Sequence, residues 1–330
     1  MAAAHYPSDV VISVVAPIHN EAESINELHR RLTAALTELG DYEIVLVDDG
    51  SIDPSWEHML ALAPGDPHLR LLRLSRNFGH QAALTAGLEA ARGDAVVLID
   101  SDLQDPPELI PVLVAKWREG FDVVYGLRTR REGETRFKRW TASVFYRLLR
   151  MMTRVEIPAD AGDFRLLSRR AVDALARMPE RARFLRGMTS WLGFPQVGVP
   201  YERDGRYAGE TKYPARRMLG FALDAITSFS TTPIRVVTGL GFVLVAFCAV
   251  VLGWTVYIKV FTNSAVQGWT SLLIVVLLLG GMQLVSLGII GQYVGRIFEE
   301  AKQRPLFVVG ETVEGGTVSV PESPRASVAP

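Results

Sequence analysis

Short apolar runs alternate with amphipathic stretches from Val10 to Leu127. Val10 to Ile18 predicts a strand, followed by His19-Asn20-Glu21 and an amphipathic helix to about Leu39. Tyr42 to Val47 predicts a second strand, ending in Asp48-Asp49-Gly50-Ser51-Ile52-Asp53. Leu69 to Leu74 is a third, ending in Ser75-Arg76-Asn77-Phe78-Gly79 and followed by a helix from His80 to Ala91. Ala95 to Ile99 is a fourth and Phe121 to Leu127 a fifth. The uninterrupted apolar run Val96-Val97-Leu98-Ile99 fits a strand buried on both faces. Strands alternating with helices imply crossover connections, hence an α/β fold with a mostly parallel, Rossmann-like sheet.

The second half changes character. Basic residues gather at 128–139 and again at Arg203, Arg206, Lys212, Arg216 and Arg217. Between them lie a predicted helix from about Phe137 to Met152, the segment Ala161-Gly162-Asp163-Phe164-Arg165-Leu166, and a strand-like Val197 to Tyr201. From Met218 to Phe229 apolar residues recur at helical spacing, which predicts a helix lying at a membrane surface. Ile234 to about Ile258 and Trp269 to about Val294 are then apolar, each long enough to cross a hydrocarbon core of roughly 30 Å. Lysines and arginines flank the outer ends of this pair and Lys259 alone lies between, which places the N-terminal domain and the tail in the cytoplasm. Gly288, Gly291 and Gly295 favour close helix packing, within or between chains. The expected organisation is 1–214 catalytic domain, 215–232 amphipathic interface segment, 233–295 two transmembrane helices, and 296–330 a cytoplasmic tail, Gly-, Ser- and Pro-rich and disordered after Glu311.

Charge and cysteine content narrow the classes. The formal net charge is −1 over 330 residues, which argues against general nucleic-acid binding. A single cysteine, Cys248, rules out an intrachain disulfide framework. No basic region precedes the first apolar run, and Pro17 interrupts that run, so no signal peptide is expected.

The densest chemistry follows the fourth strand, in Ile99-Asp100-Ser101-Asp102-Leu103-Gln104-Asp105-Pro106-Pro107-Glu108. Carboxyl ends of strands are where open α/β sheets present ligand-binding groups. Asp100 and Asp102, two residues apart, suit a hard divalent cation that shares phosphate oxygens with a substrate. Gln104 adds a further oxygen, and an extended backbone here would aim 100, 102 and 104 the same way. Turn and cap preferences explain any one such polar cluster equally well. Clusters at four successive strand ends point instead to a site, read as holding the metal-diphosphate of a nucleotide-sugar. A nicotinamide dehydrogenase would show Gly-x-Gly-x-x-Gly after the first strand, where Pro17-Ile18-His19-Asn20-Glu21 stands. A non-catalytic membrane adaptor has no need of the strand-end carboxylates.

These segments, with Val124-Tyr125-Gly126-Leu127-Arg128, Gly162-Asp163-Phe164-Arg165-Leu166 and Tyr207-Ala208-Gly209-Glu210-Thr211-Lys212-Tyr213, carry a resemblance. The chain resembles a family 2 glycosyltransferase of GT-A fold, in the polyprenyl-phosphate (dolichol-phosphate mannose synthase-like) group, and is most similar to its bacterial two-span bactoprenol glucosyltransferase-like members. The Gln-x-x-Arg-Trp motif of the processive synthases is absent, which argues against polymer synthesis. The resemblance implies inverting transfer from a nucleotide-sugar, UDP-glucose first and GDP-mannose or another donor as alternatives, to undecaprenyl phosphate. Pro17, Asn20 and Glu21 would line the nucleotide pocket, Asp49 would contact base or ribose with Asp48 beside it, and Arg76 would approach the nucleotide. Asp100, Asp102 and Gln104 would hold Mg2+ or Mn2+ against the diphosphate. Arg128, Arg139, Arg206 and Lys212 are candidates for the acceptor phosphate or the departing diphosphate, where guanidinium forks match phosphate oxygens. Attachment to anionic lipid is the bland reading of the same bases, worth about 1 kcal/mol each. Asp163 would be a catalytic base or an acceptor-orienting carboxylate, the second role being favoured because a phosphate monoester is largely ionised near neutral pH. The expected setting is the inner (plasma) membrane, multi-pass, as a homo-oligomer; related two-span enzymes form tetramers.

Overall fold

The computed structural model describes residues 10–128, 161–181, 183–202, 232–261 and 268–319. They fall into two compact units, one holding the sheet and one the long apolar helices.

The first unit is built on a nine-stranded sheet. Its centre is β1 (Ile12–Ile18), β2 (Tyr42–Asp48), β3 (Leu69–Leu74) and β4 (Ala95–Leu98), in the spatial order β4-β1-β2-β3 and all parallel. Every residue of β1 and β4 is buried, as strands covered on both faces should be. The crossovers are α1 (Ile25–Leu36), α2 (Ser55–Leu62) and α3 (His80–Ala90). α1 buries Ile25, Leu28, Leu32 and Leu36, one stripe at helical spacing, each worth about 1.5–3 kcal/mol on removal from water. Pro17 sits inside β1 beyond Val15, where pairing with β4 ends, so its missing N–H costs no bond on that side.

Beyond this core the sheet departs from the sequence reading. α4 (Ile110–Arg118) leads to β5 (Val123–Arg128), but β5 does not join β4. Between them lies β6 (Ala161–Ser168), antiparallel to both. The sequence alone assigns this segment no element; in the structure Arg165 is only 2% exposed and is satisfied by the Gly162 carbonyl and Thr189 Oγ1. After α5 (Arg169–Ala176) and α6 (Leu185–Trp191), β7 (Gln196–Tyr201) pairs parallel with β5 as an edge.

The other edge is formed by the end of the described chain. β8 (Val309–Glu314) runs antiparallel to β3 and turns into β9 (Thr317–Ser319). This corrects the expectation of a tail without structure from Glu311. Gly315 and Gly316 have φ of 55° and 75°, the pair of positive values that a tight hairpin turn requires. Glu314 bridges Arg70 and Arg92, and Val313 is buried in the sheet's core cluster. Val313→Asp is therefore expected to lower stability by about 3 kcal/mol, read as a lower urea midpoint at unchanged slope. An unchanged midpoint would remove the hairpin from the fold's support.

The second unit contains α7 (Thr232–Phe261) and α8 (Trp269–Ala301), which contact each other. Among the described residues one helical stretch, Leu278–Ala301, is long and apolar enough to cross a membrane, with mean hydropathy 1.3; Val237–Val251 is apolar but shorter. Exposed side chains on these helices include Phe242, Phe247, Trp254, Leu284 and Ile297. At Gly288, Gly291 and Gly295 nothing among the described residues lies within 4 Å of where a Cβ would be. The segment 215–231 lies outside the described residues.

Candidate active site

Because β1 to β4 are parallel, their carboxyl ends open on one edge of the sheet. The loops there are tied to one another. Asn20, in the left-handed region at φ 56°, donates its backbone N–H to Ser51 Oγ (3.0 Å) and accepts from Ile52 N through its own Oδ1 (2.9 Å). Glu21 N donates to Ser55 Oγ at 3.0 Å. His19 Nδ1 lies 3.0 Å from the Asp49 carbonyl, and Asn77 Nδ2 lies 3.1 Å from His19 Nε2.

Asp49 holds the next loop. It is 3% exposed, and its two oxygens accept from Phe78 N (2.7 Å) and Gly79 N (2.9 Å). Burial pushes its pKa above the usual carboxylate value, with those N–H groups pulling the other way. Asp48, fully buried, accepts from Ser51 N and pairs with Arg73 at 3.4 Å. Gly50, at φ 64°, lets the β2 loop press against the β3 loop; a Cβ there would fall 2.5 Å from the Arg76 carbonyl carbon and from Asn77 N. Arg76 stays exposed, stacked 4.0 Å over the Phe78 ring and donating to the Asn77 carbonyl.

Gly79 then starts α3, whose first residue reaches the acidic end of the site. His80 Nε2 is 2.9 Å from Asp100 Oδ1. The chain past β4 is a turn rather than an extended segment. Leu103 is left-handed at φ 58° and buried, and Asp102 Oδ1 accepts from Gln104 N at 3.2 Å. The expectation that 100, 102 and 104 share one aim through strand alternation is corrected accordingly: the backbone turns at Leu103 instead of running extended.

The β4–β6 register, Ala95↔Ser168 to Leu98↔Arg165, continues toward Asp100 and Asp163. Asp100 is pushed up to about 6, by loss of hydration and by the charges of Asp163, Asp105 and Asp102, against the pull of His80. Asp163 goes the other way. Burial opposes its ionisation, but Arg186, Arg165 and His80 outweigh burial and hold its pKa below normal. Its oxygens lie 3.5 Å from Arg186 Nη2 and 3.4 Å from Gln81 Nε2. Arg128, at the end of β5, donates to Tyr201 Oη at 3.2 Å and lies 3.6 Å from the fully buried Asp105.

His80, Gln81, Asp105, Arg186 and Tyr201 escaped the sequence reading. Asp105 stood inside the recognised segment and His80 directly after one, so position could have flagged both. Gln81, Arg186 and Tyr201 come to the site only through packing of α3, α6 and β7. Arg139, Arg206 and Lys212 lie outside the described residues.

The donor set fits a hard divalent cation. Asp100, Asp102 and Gln104 offer oxygen ligands, and Asp100 with the three carboxylates around it leaves an excess of negative charge for a cation to offset. Among the described residues no three His, Cys, Asp or Glu side chains are placed to ligate together. Mg2+ and Mn2+ suit one or two carboxylates, with water and substrate phosphate completing the shell.

The model of the family described as glycosyl transferase family 2 matches residues 13–176. An uncharacterized glycosyltransferase of Bacillus subtilis, YkcC, is 47% identical over 90% of this chain and 92% of its own length. A prophage bactoprenol glucosyl transferase homolog of Escherichia coli is 41% identical over 90% of this chain and 98% of its own length. Among solved structures, glucosyl-3-phosphoglycerate synthase from Mycobacterium tuberculosis, in complex with Mn2+, UDP-glucose and phosphoglyceric acid, is similar at TM-score 0.44 and 23% identity, over 66% of this chain and 77% of that one.

Proposed function

The chain belongs to glycosyl transferase family 2 and is a glycosyltransferase, and from that premise we propose that it moves a sugar from a nucleotide-sugar, UDP-glucose first, to undecaprenyl phosphate at the cytoplasmic face of the inner membrane. The observation that carries this reading is the continuous tie from Asp49 through Gly79 and His80 to Asp100. It joins a loop edge suited to a nucleoside with an acidic end suited to a metal-bound diphosphate. The bactoprenol named for the Escherichia coli relative supports the choice of acceptor.

In this reading Pro17, Asn20 and Glu21 border the nucleoside, Asp49 fixes the loop carrying Arg76, and Asp48 braces it through Arg73. Asp100, Asp102 and Gln104 hold Mg2+ or Mn2+, which supplies positive charge for the diphosphate. Arg128 adds a guanidinium at the same end. An acceptor phosphate oxygen attacks the anomeric carbon from the face opposite the diphosphate. The bond from that carbon to the diphosphate oxygen breaks, and its electron pair leaves with the nucleoside diphosphate. An α-linked donor then gives a β-linked product. The acceptor phosphate, with a second pKa of about 6, needs no proton removed. Asp163, kept ionised by Arg186 and Arg165, orients the acceptor rather than acting as a strong base. Arg139, Arg206 and Lys212 remain candidates for the acceptor phosphate. α7 and α8 form two spans within 233–295, entered through an interface helix in 215–232, and the enzyme works as a homo-oligomer.

The full-length protein in detergent, given UDP-glucose, GDP-mannose or UDP-N-acetylglucosamine, is expected to release nucleoside diphosphate from one donor. Release should require undecaprenyl phosphate and stop on chelation of divalent metal. No release from any donor would favour a non-catalytic adaptor.

A further inference from the structure

We propose that Tyr201 and Asp105 are positioning residues that fix the guanidinium of Arg128 against Gly162, at the diphosphate end of the site. The inference rests on the glycosyltransferase reading above. Arg128 and Tyr201 are register partners at the ends of β5 and β7, so their side chains stand next to each other. Arg128 Nε donates to Tyr201 Oη at 3.2 Å, and Tyr201 Oη donates to Asp105 Oδ1. A hydroxyl has one proton. Given to the carboxylate, it leaves the oxygen's lone pairs facing the arginine, so the chain of bonds has one direction.

The tyrosine ring has a built seat. It is 6% exposed and meets the buried Phe164 edge-on at 5.9 Å. Gly126 leaves it room: a Cβ there would come within 2.7 Å of the ring. Across the guanidinium stands Gly162, where a Cβ would fall 2.5 Å from Arg128 Nη2. Arg128 is thus held by a hydrogen bond, an ion pair and a backbone wall, and Gly162 adjoins Asp163. A purely structural account would have Arg128 only neutralise the buried Asp105. That account gives no reason for the wall at Gly162.

Gly162→Ala separates the two, because it removes none of Arg128's partners and acts only by pressing on its Nη2 end. The test is calorimetric binding of UDP and of GDP, with Mg2+, to the full-length protein. Arg128→Lys keeps the charge but loses the Nε–H and the planar fork. Each of Tyr201→Phe, Gly162→Ala and Arg128→Lys is expected to weaken binding of the preferred diphosphate about 10-fold. In the Arg128→Lys background neither of the other two should weaken it further. The Gly162→Ala thermal midpoint should fall less than that of Tyr201→Phe, which removes a hydrogen bond to the buried Asp105. Effects that add in the double variants, or Gly162→Ala binding as tightly as wild type, would overturn the inference alone. A wild type that binds neither diphosphate removes the functional reading and this inference with it.

Discussion

Asp102→Asn is expected to cut sugar transfer by at least about a thousand-fold while the protein stays folded. The side chain is partly exposed, and its Oδ1 accepts from Gln104 N at 3.2 Å. An asparagine oxygen can accept the same bond, so the turn after β4 survives. Only the negative charge is lost, and Asp100, Asp105 and Asp163 are crowded enough that the loss relieves repulsion. Steady-state rates and a thermal midpoint on the same sample check this. Retained transfer would refute the charge-holding role of Asp102; a collapsed midpoint would mean that the turn needs the carboxylate itself.

Gly50→Ala is expected to be the most damaging small substitution among the site loops. The position has φ 64°, and the added methyl would lie 2.5 Å from two backbone atoms, the Arg76 carbonyl carbon and Asn77 N. Backbone cannot rotate aside as a side chain can. The 76–79 loop is also held from below by Asp49, through Phe78 N and Gly79 N. Relief must therefore break those bonds or move the β2 turn. A loss of about 2–4 kcal/mol in stability is expected, with nucleoside diphosphate binding at least about 10-fold weaker. Gly65→Ala serves as the comparison, since its Cβ would meet nothing within 4 Å. It should shift the urea midpoint hardly at all. Equal effects at both positions would show that contact between the two loops is unimportant.

The four parallel strands were legible because each is a largely apolar stretch bounded by polar clusters. The clusters were legible as a site because parallel strands end on one side. What escaped depends on packing that no local pattern announces. β6 carries Arg165 into the interior and Asp163 to a partly buried position, where Thr189 and Arg186 meet them, so its polar residues hide a strand. The turn at Leu103 needed a left-handed residue that is neither glycine nor asparagine, which hid it behind an apparent strand continuation. The hairpin after Val309 did carry a signal, Gly315-Gly316 between apolar-polar alternations, and was overridden by the composition of the residues beyond it. Of the proposed phosphate ligands, Arg128 lies within the described structure, and there Tyr201 and Asp105 explain its position.

The central claim is that the sugar ends on a phosphate oxygen of the lipid. Mass spectrometry of undecaprenyl phosphate incubated with the protein, UDP-glucose and Mg2+ tests it most directly. The account predicts one new species, heavier by a single hexose residue and β-linked at the anomeric carbon, formed in step with UDP. Unmodified lipid phosphate with free glucose accumulating beside UDP, or a ladder of several hexoses, would contradict it.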